Sequence, residues 1–335
     1  MEEKTEKRGF SSVRPRRLRG IRLLREMVAG TRLAARDFVW PVFVRLGQGI
    51  RTPIGSMPGV FQYSPEVAVE ELRRAADEGI GAFLLFGITD ADKKDATGSH
   101  AHDENNAVCT TLRAVKDAKL PLVAITDLCY CEYTSHGHCG RLRGDQSGVD
   151  NDETVAALGH QAALHARCGA DVVAPSAAMD HMVAAIRAAL DAGAYEDTAI
   201  LSYAVKYASA FYGPFREAAE SPPQFGDRKG YQMDFRRGEA EALREAALDV
   251  AEGADLVMVK PGVAYLDILR AVSEASPVPT AVYQVSGEYA MLKAAAAKGW
   301  IDERAVVEET MHAFKRAGAA FVVTYYAREL ARWVR

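Results

Sequence analysis

Eight short, continuously apolar runs, spaced by segments of helical period, constrain this chain more than any other feature. They are Phe38 to Val44, Ala82 to Ile88, Pro121 to Leu128, Ala170 to Ser176, Ala199 to Lys206, Ala254 to Lys260, Thr280 to Ser286 and Ala320 to Tyr325. A strand with one solvated face alternates apolar and polar residues, whereas unbroken apolar runs mark strands covered on both faces, as in a parallel sheet wrapped by helices. The intervening segments carry helix ends. Ser64-Pro65-Glu66 reads as an N-cap with proline at the first helical position, and Gly79 closes that helix. Gly169, Gly253 and Gly318 each follow an Ala-rich stretch and feed the next apolar run. Eight such units predict a (β/α)8 TIM barrel over residues 33–335, a length that α/β barrels occupy as one domain. A doubly wound open sheet is the structural rival, but no G-x-G-x-x-G follows an early strand.

Composition narrows the function class. A net charge of -4 argues against general affinity for nucleic acid or membranes, and no apolar run approaches the roughly 18 residues of a membrane span. Glu2, Glu3 and Glu6 fit poorly with a transit peptide. Five cysteines, three of them clustered, do not make a secreted disulfide framework, so a cytoplasmic protein is expected. Residues 1–32, with Arg14, Arg16, Arg17 and Arg19 close together, read as an N-terminal arm that is solvated or embraces another subunit. One connection is far too long for an ordinary barrel loop. Residues 207–237 carry Gly213-Pro214, Pro222-Pro223 and Gly226 between aromatic residues, the composition of an active-site lid rather than of a disordered segment.

Active sites of such barrels lie at the C-terminal ends of the strands. The third run ends in Asp127 and continues into Cys129, Cys131 and Cys139. On an extended backbone Cys129 and Cys131 face one side, and a glycine-containing loop folds Cys139 back toward them. Three thiolates suit zinc and leave a fourth position open, the catalytic pattern; buried inert cysteines are the bland alternative. His136 and His138 are available as a fourth ligand, as supports for the ligands, or simply to shape the loop. Cys109 and Cys168 read as core filler. The fifth and sixth runs end in Lys206 and Lys260, the seventh in Ser286 and the eighth in Tyr325. Two ammonium groups on neighbouring strands depress each other's pKa, and a neutral amine attacks a ketone to give a Schiff base; the alternative is a pair of solvated charges. Asp127 is a proton relay, a partner for a cation or a helix cap.

These segments resemble the porphobilinogen synthase (5-aminolevulinate dehydratase) family from about Arg16 onward. The matching stretches run from Ile200 to Lys206 and Phe211 to Arg216, from Val257 to Gly262, from Tyr283 to Glu288 and from Thr324 to Tyr326, together with the cysteine segment of the zinc-dependent form. The resemblance implies a hydro-lyase that condenses two 5-aminolevulinates into porphobilinogen with loss of two waters, in tetrapyrrole (heme) biosynthesis. It assigns Lys260 the Schiff base on the propionate side and Lys206 that on the acetate side, with catalytic zinc on Cys129, Cys131 and Cys139 and proton transfer by Asp127. It also implies that Ser286 and Tyr325 hold one substrate carboxylate while Arg216, Arg228 and Gln232 hold the other. Glu245 resembles the position of an allosteric magnesium, a homo-octamer is implied, and the basic arm then contacts a neighbouring subunit. Two rivals explain less: a Schiff-base aldolase leaves the thiolates without a role, and a zinc-knuckle RNA-binding protein leaves the lysines without one.

Overall fold

The computed structural model describes residues 14–145 and 147–334. The described part of the first 32 residues forms one unit, with a 3-10 turn at Pro15–Leu18 and a helix at Arg22–Met27, and residues 33–335 form the other. In the larger unit eight parallel strands close on themselves. They are Phe38–Arg45 (β1), Ala82–Ile88 (β2), Val123–Leu128 (β3), Val172–Pro175 (β4), Ala199–Lys206 (β5), Leu256–Lys260 (β6), Thr280–Gln284 (β7) and Val322–Thr324 (β8). Each pairs with its sequence neighbour, and β8 returns to β1 through the partners Phe38↔Val322 and Val39↔Val323. The expected barrel is therefore the one observed. A short antiparallel hairpin, Arg51–Pro53 with Phe61–Tyr63, extends from β1.

Continuous burial of the strands follows from helices on the outside and packed side chains within: β1, β2, β5 and β7 contain no exposed residue. The glycine stops act as expected. Gly169 takes φ +114, which no side-chain-bearing residue adopts cheaply, and its N–H closes the helix Asn151–Cys168 on the His165 carbonyl at 3.1 Å. The serine at the start of the first outer helix behaves differently. Ser64 precedes Pro65–Asp77 as predicted, but its hydroxyl donates to Glu66 (2.6 Å) and accepts from the Ile50 N–H (3.0 Å) instead of capping the helix.

Arg328 clamps the outer ring shut at the seam. It lies on the last helix, Ala327–Trp333, and reaches the first barrel helix with 2.7 and 2.9 Å bonds to both Glu78 oxygens and a 2.7 Å bond to Glu71. The forked pairing lowers the Glu78 pKa against the opposing effect of burial. Arg328→Met leaves the Glu71 carboxylate, buried in the fold, without one of its two arginine partners. We expect it to destabilise the native state by about 1–3 kcal/mol, measured as a lower urea midpoint at unchanged m-value. A midpoint equal to that of the parent protein would remove the clamp from this account.

Candidate active site

The C-terminal mouth of the barrel gathers the predicted residues around one cavity. Its lining includes Asp127, Cys129, Cys131, Lys206, Arg216, Arg228, Lys260, Ser286 and Tyr325. Gln232 lines an adjacent cavity together with Lys206. Glu245 lies on the helix Glu239–Ala251 and borders that second cavity with Glu241, Asp249 and Asp180.

Lys206 and Lys260 are register partners on β5 and β6, only 6% and 7% exposed. The Lys260 ammonium sits among rings, 4.4 Å from the Tyr283 centroid, 4.8 Å from Tyr203 and 5.4 Å from both Tyr212 and Phe215. Ring faces favour the cation, but burial is the larger effect and Lys206 adds repulsion, so the Lys260 pKa is pushed down to about 7. Asp127 opposes that shift without cancelling it. Lys206 donates to the Ser176 carbonyl. The Ser176 hydroxyl donates to Asp127 Oδ2 at 3.0 Å, while Oδ1 is buried without a partner. Burial raises the Asp127 pKa against the pull of both lysines.

The cysteines converge, but not as an extended ladder. β3 stops at Leu128, and the chain turns as the Tyr133 and Thr134 N–H groups both bond the Tyr130 carbonyl at 2.9 Å. The turn replaces strand alternation because it brings the Cys129 and Cys131 sulfurs to 3.4 Å, closer than alternate strand positions stand. Cys139 returns through Gly137, whose φ is +71, and all three sulfurs lie within 4.8 Å of one another. Tetrahedral zinc with Zn–S of ~2.3 Å places sulfurs ~3.8 Å apart, so the donor set fits a metal ion. All three cysteines are buried and none is in a disulfide. Hydrogen bonds from Cys129 and Cys131 lower the Cys139 pKa, while burial raises that of Cys129. Cys131 is raised as well, since donation to Cys139 and burial outweigh the bond from Cys129. The histidines are engaged elsewhere: His136 meets the Ala96 carbonyl (3.2 Å) and the His138 N–H (3.1 Å), and His138 meets the lid. Cys109 and Cys168 are buried outside the site, as expected of core residues.

Ser286 differs from its expected place at the end of a strand. β7 ends at Gln284 and Ser286 opens the helix Ser286–Ala297, because the Glu288 carboxylate accepts the Val285 N–H (2.8 Å) and bends the chain into that helix. The Ser286 hydroxyl accepts from the Phe215 N–H at 2.9 Å. Tyr283 donates to the Tyr325 hydroxyl (3.1 Å), which leaves the Tyr325 hydrogen for another acceptor. On the lid, Arg216 Nε, Arg228 Nε and Gln232 Nε2 are buried donors without an acceptor, the condition of a site built for an anion. Burial lowers the Arg216 pKa; that of Arg228 is raised because the Cys139 and Cys131 sulfurs outweigh burial.

Sequence reasoning missed Glu132, Ser176, Tyr203 and Tyr283. Glu132 accepts from the Cys131 thiol at 3.2 Å, and burial with the nearby Asp127 raises its pKa to about 7. Ser176 closes the fourth apolar run and was findable by the same strand-end rule as Lys206. With Lys260 half neutral at a pH of about 7, borohydride trapping of a small ketone on this residue should rise with pH through a midpoint near 7. A midpoint near the ordinary lysine value, read by mass spectrometry of the labelled peptide, would contradict the proposed environment.

Known proteins are similar to this chain in sequence and in fold. The sequence profile described as Delta-aminolevulinic acid dehydratase matches residues 12–333. The delta-aminolevulinic acid dehydratase of Synechococcus elongatus is 51% identical, covering 97% of this chain and 99% of its own length. That of Streptomyces coelicolor is 49% identical, covering 97% and 98%. The Toxoplasma gondii delta-aminolevulinic acid dehydratase, solved with its reaction product porphobilinogen, superposes with a TM-score of 0.93 at 43% identity, covering 96% of this chain and 91% of that one.

Proposed function

This chain belongs to the delta-aminolevulinic acid dehydratase family, and from that premise we propose which of its residues carry the reaction. Its activity is the condensation of two 5-aminolevulinates into porphobilinogen with loss of two waters, a hydro-lyase step of tetrapyrrole biosynthesis. The observation that supports our residue assignment is the pair of buried lysines, in register on adjacent strands and sharing one cavity with Cys129 and Cys131.

In our reading each lysine attacks the ketone of one substrate as a free amine and expels water, so two imines account for the two waters lost. Lys260 engages the substrate that contributes the propionate side, Lys206 the one that contributes the acetate side. Each imine carbon is captured by a carbon or nitrogen nucleophile of the other substrate, and the lysine is regenerated when its C–N bond then breaks and the protonated amine leaves. Asp127, buried and with its pKa raised, holds and moves a proton beside both imines; its unpartnered Oδ1 is the acceptor. Ser286 and the free hydrogen of Tyr325 bind one carboxylate, and Arg216, Arg228 and Gln232 bind the other through donors that have no partner within the protein. The aromatic walls keep water from the imines. Zinc held by Cys129, Cys131 and Cys139 would supply a Lewis acid that polarises the second substrate at its open coordination position.

We assign Glu245 as the site of an allosteric magnesium. Burial and the neighbouring Asp180 and Glu241 raise its pKa, a charge load that a cation relieves. Among the described residues it belongs to no group of three donors within 4.8 Å, so such an ion would be held largely through its own waters. The exposed Leu18, Ile21, Leu23 and Met27 support an arm, residues 1–32, that covers a neighbouring subunit in a homo-octamer. Residues 33–335 then form the catalytic barrel with its lid at about 207–237. No described helix is long and apolar enough to cross a membrane, and five reduced cysteines suit the cytoplasm. Neither an aldolase nor an RNA-binding protein accounts for both three buried sulfurs and two buried lysines.

In an assay with 5-aminolevulinate, Lys260→Ala should reduce porphobilinogen formation by on the order of 10³-fold or more. A chelator should suppress the parent enzyme, and zinc, but not magnesium alone, should restore it. Full activity in the lysine variant would overturn the mechanism; restoration by magnesium alone would overturn the metal assignment.

A further inference from the structure

The lid is fastened to the cysteine loop by a continuous hydrogen-bond chain that the reaction as described does not require. The Cys139 N–H donates to the Tyr231 hydroxyl at 3.4 Å, this hydroxyl meets His138 Nδ1 at 3.2 Å, and His138 Nε2 meets the Phe225 carbonyl at 3.1 Å. A carbonyl only accepts, so Nε2 carries the hydrogen. In the neutral ring Nδ1 then accepts from Tyr231, and every link in the chain has one donor and one acceptor. The chain therefore runs from a metal-binding residue, through a lid side chain and a loop histidine, back to the lid backbone.

Parallel contacts make the joint close. Arg228 donates to the Gly137 carbonyl at 2.8 Å, the Gln224 N–H donates to the His136 carbonyl at 3.0 Å, and the Phe225 ring lies 4.9 Å from that of His138. At Gly137 an added Cβ would stand 2.3 Å from the Pro222 carbonyl oxygen, so the lid lies directly against this turn. Nothing in the carboxylate-binding role given to Arg228 and Gln232 calls for such a joint.

We infer that Tyr231 and His138 are positioning residues that make the cysteine loop and the lid segment 222–232 one linked unit, so that metal on the three sulfurs and an ordered lid favour each other. The inference rests on the reading that these cysteines hold a metal ion. Without the ion, three close sulfurs are no longer held together, Cys139 is free to move, and the donor that fixes Tyr231 moves with it. With the lid withdrawn, the Cys139 N–H loses its acceptor and the Arg228 guanidinium leaves the neighbourhood of the sulfurs. Linkage of this kind is reciprocal by necessity. Arg228 and Gln232 lie on the linked segment, so loss of the metal also loosens the grip on the second carboxylate.

Two measurements on the full-length protein test this. The first is zinc affinity by competition with a chromophoric chelator. Tyr231→Phe removes the central hydroxyl and little else, and should weaken zinc binding by about tenfold, the lower end of what supporting residues around metal ligands contribute. The second is amide hydrogen exchange of the unsubstituted protein with and without zinc. Removal of zinc should accelerate exchange at residues 222–232 while the barrel strands are unchanged. Unaltered zinc affinity in Tyr231→Phe, or lid exchange that is the same in both states, overturns the linkage. If the unsubstituted protein takes up no zinc, the metal reading of the cysteines fails first, and the two failures are told apart.

Discussion

Burying Lys206 and Lys260 side by side takes two ammonium groups out of water and sets them against each other, and most of the site answers that demand. The counter-charges are equally buried: Asp127 lies within the field of both lysines, Glu132 follows Cys131, and the thiols share what negative charge they carry. Asp127, Glu132, Lys260 and the three thiols are all moved from their ordinary pKa values. Burial and the Lys206 charge push the Lys260 pKa down, and burial with Asp127 pushes that of Glu132 up, so acid and base are moved toward each other. Shifts in these directions ease proton exchange among the groups of the site, which suits the proposed succession of imine formations and proton shifts.

The lid extends the same electrostatic logic outward. Arg228 raises the cation count at the mouth, and the sulfurs below it favour its charge. The lid is anchored at its base too. Arg45, on β1, bonds Asp90 (2.7 Å) and the lid residue Glu220 (3.1 Å), and the Gln62 amide donates to the Ala218 carbonyl at 2.9 Å. The segment is thus tethered at one end to the barrel rim and at the other to the cysteine turn. Arg216 and Arg228, one beside each tether, both line the cavity.

Barrel architecture was legible because it depends on patterns that the sequence displays without interruption. Ala82–Ile88 and Ala199–Lys206 coincide with their apolar runs, and helix-closing glycines mark where the strands begin. The candidate site residues at strand ends were legible for the same reason. What could not be read was set by departures from regular geometry. Strict alternation puts Tyr203 and Lys206 on opposite faces, but the register of β5 against β6 shifts between Ser202 and Val205, and Tyr203 comes within 5.7 Å of the Lys206 ammonium. The turn that gathers Cys129 and Cys131 ends the strand earlier than alternation suggests, and the Glu288 carboxylate ends β7 before Ser286. Each departure depends on a contact with a residue distant in sequence or on a local hydrogen bond that composition does not announce.

The two lysines are alike in sequence context and unlike in surroundings, and the difference bears on how they divide the work. Lys260 has four rings around it and no backbone acceptor among its described hydrogen bonds, so burial weighs fully against its charge. Lys206 retains the Ser176 carbonyl as an acceptor, which partly replaces water around an N–H. Ser176 also donates to Asp127, so one serine contacts both the second lysine and the proposed proton carrier. In the proposed mechanism, converting Lys260 to an imine changes the charge next to Lys206, whose amine lies against the Ser176–Asp127 pair. Asymmetry in the product therefore has a counterpart in the protein: a dry, ring-lined amine on β6 and, on β5, an amine bonded to Ser176, whose hydroxyl in turn bonds Asp127.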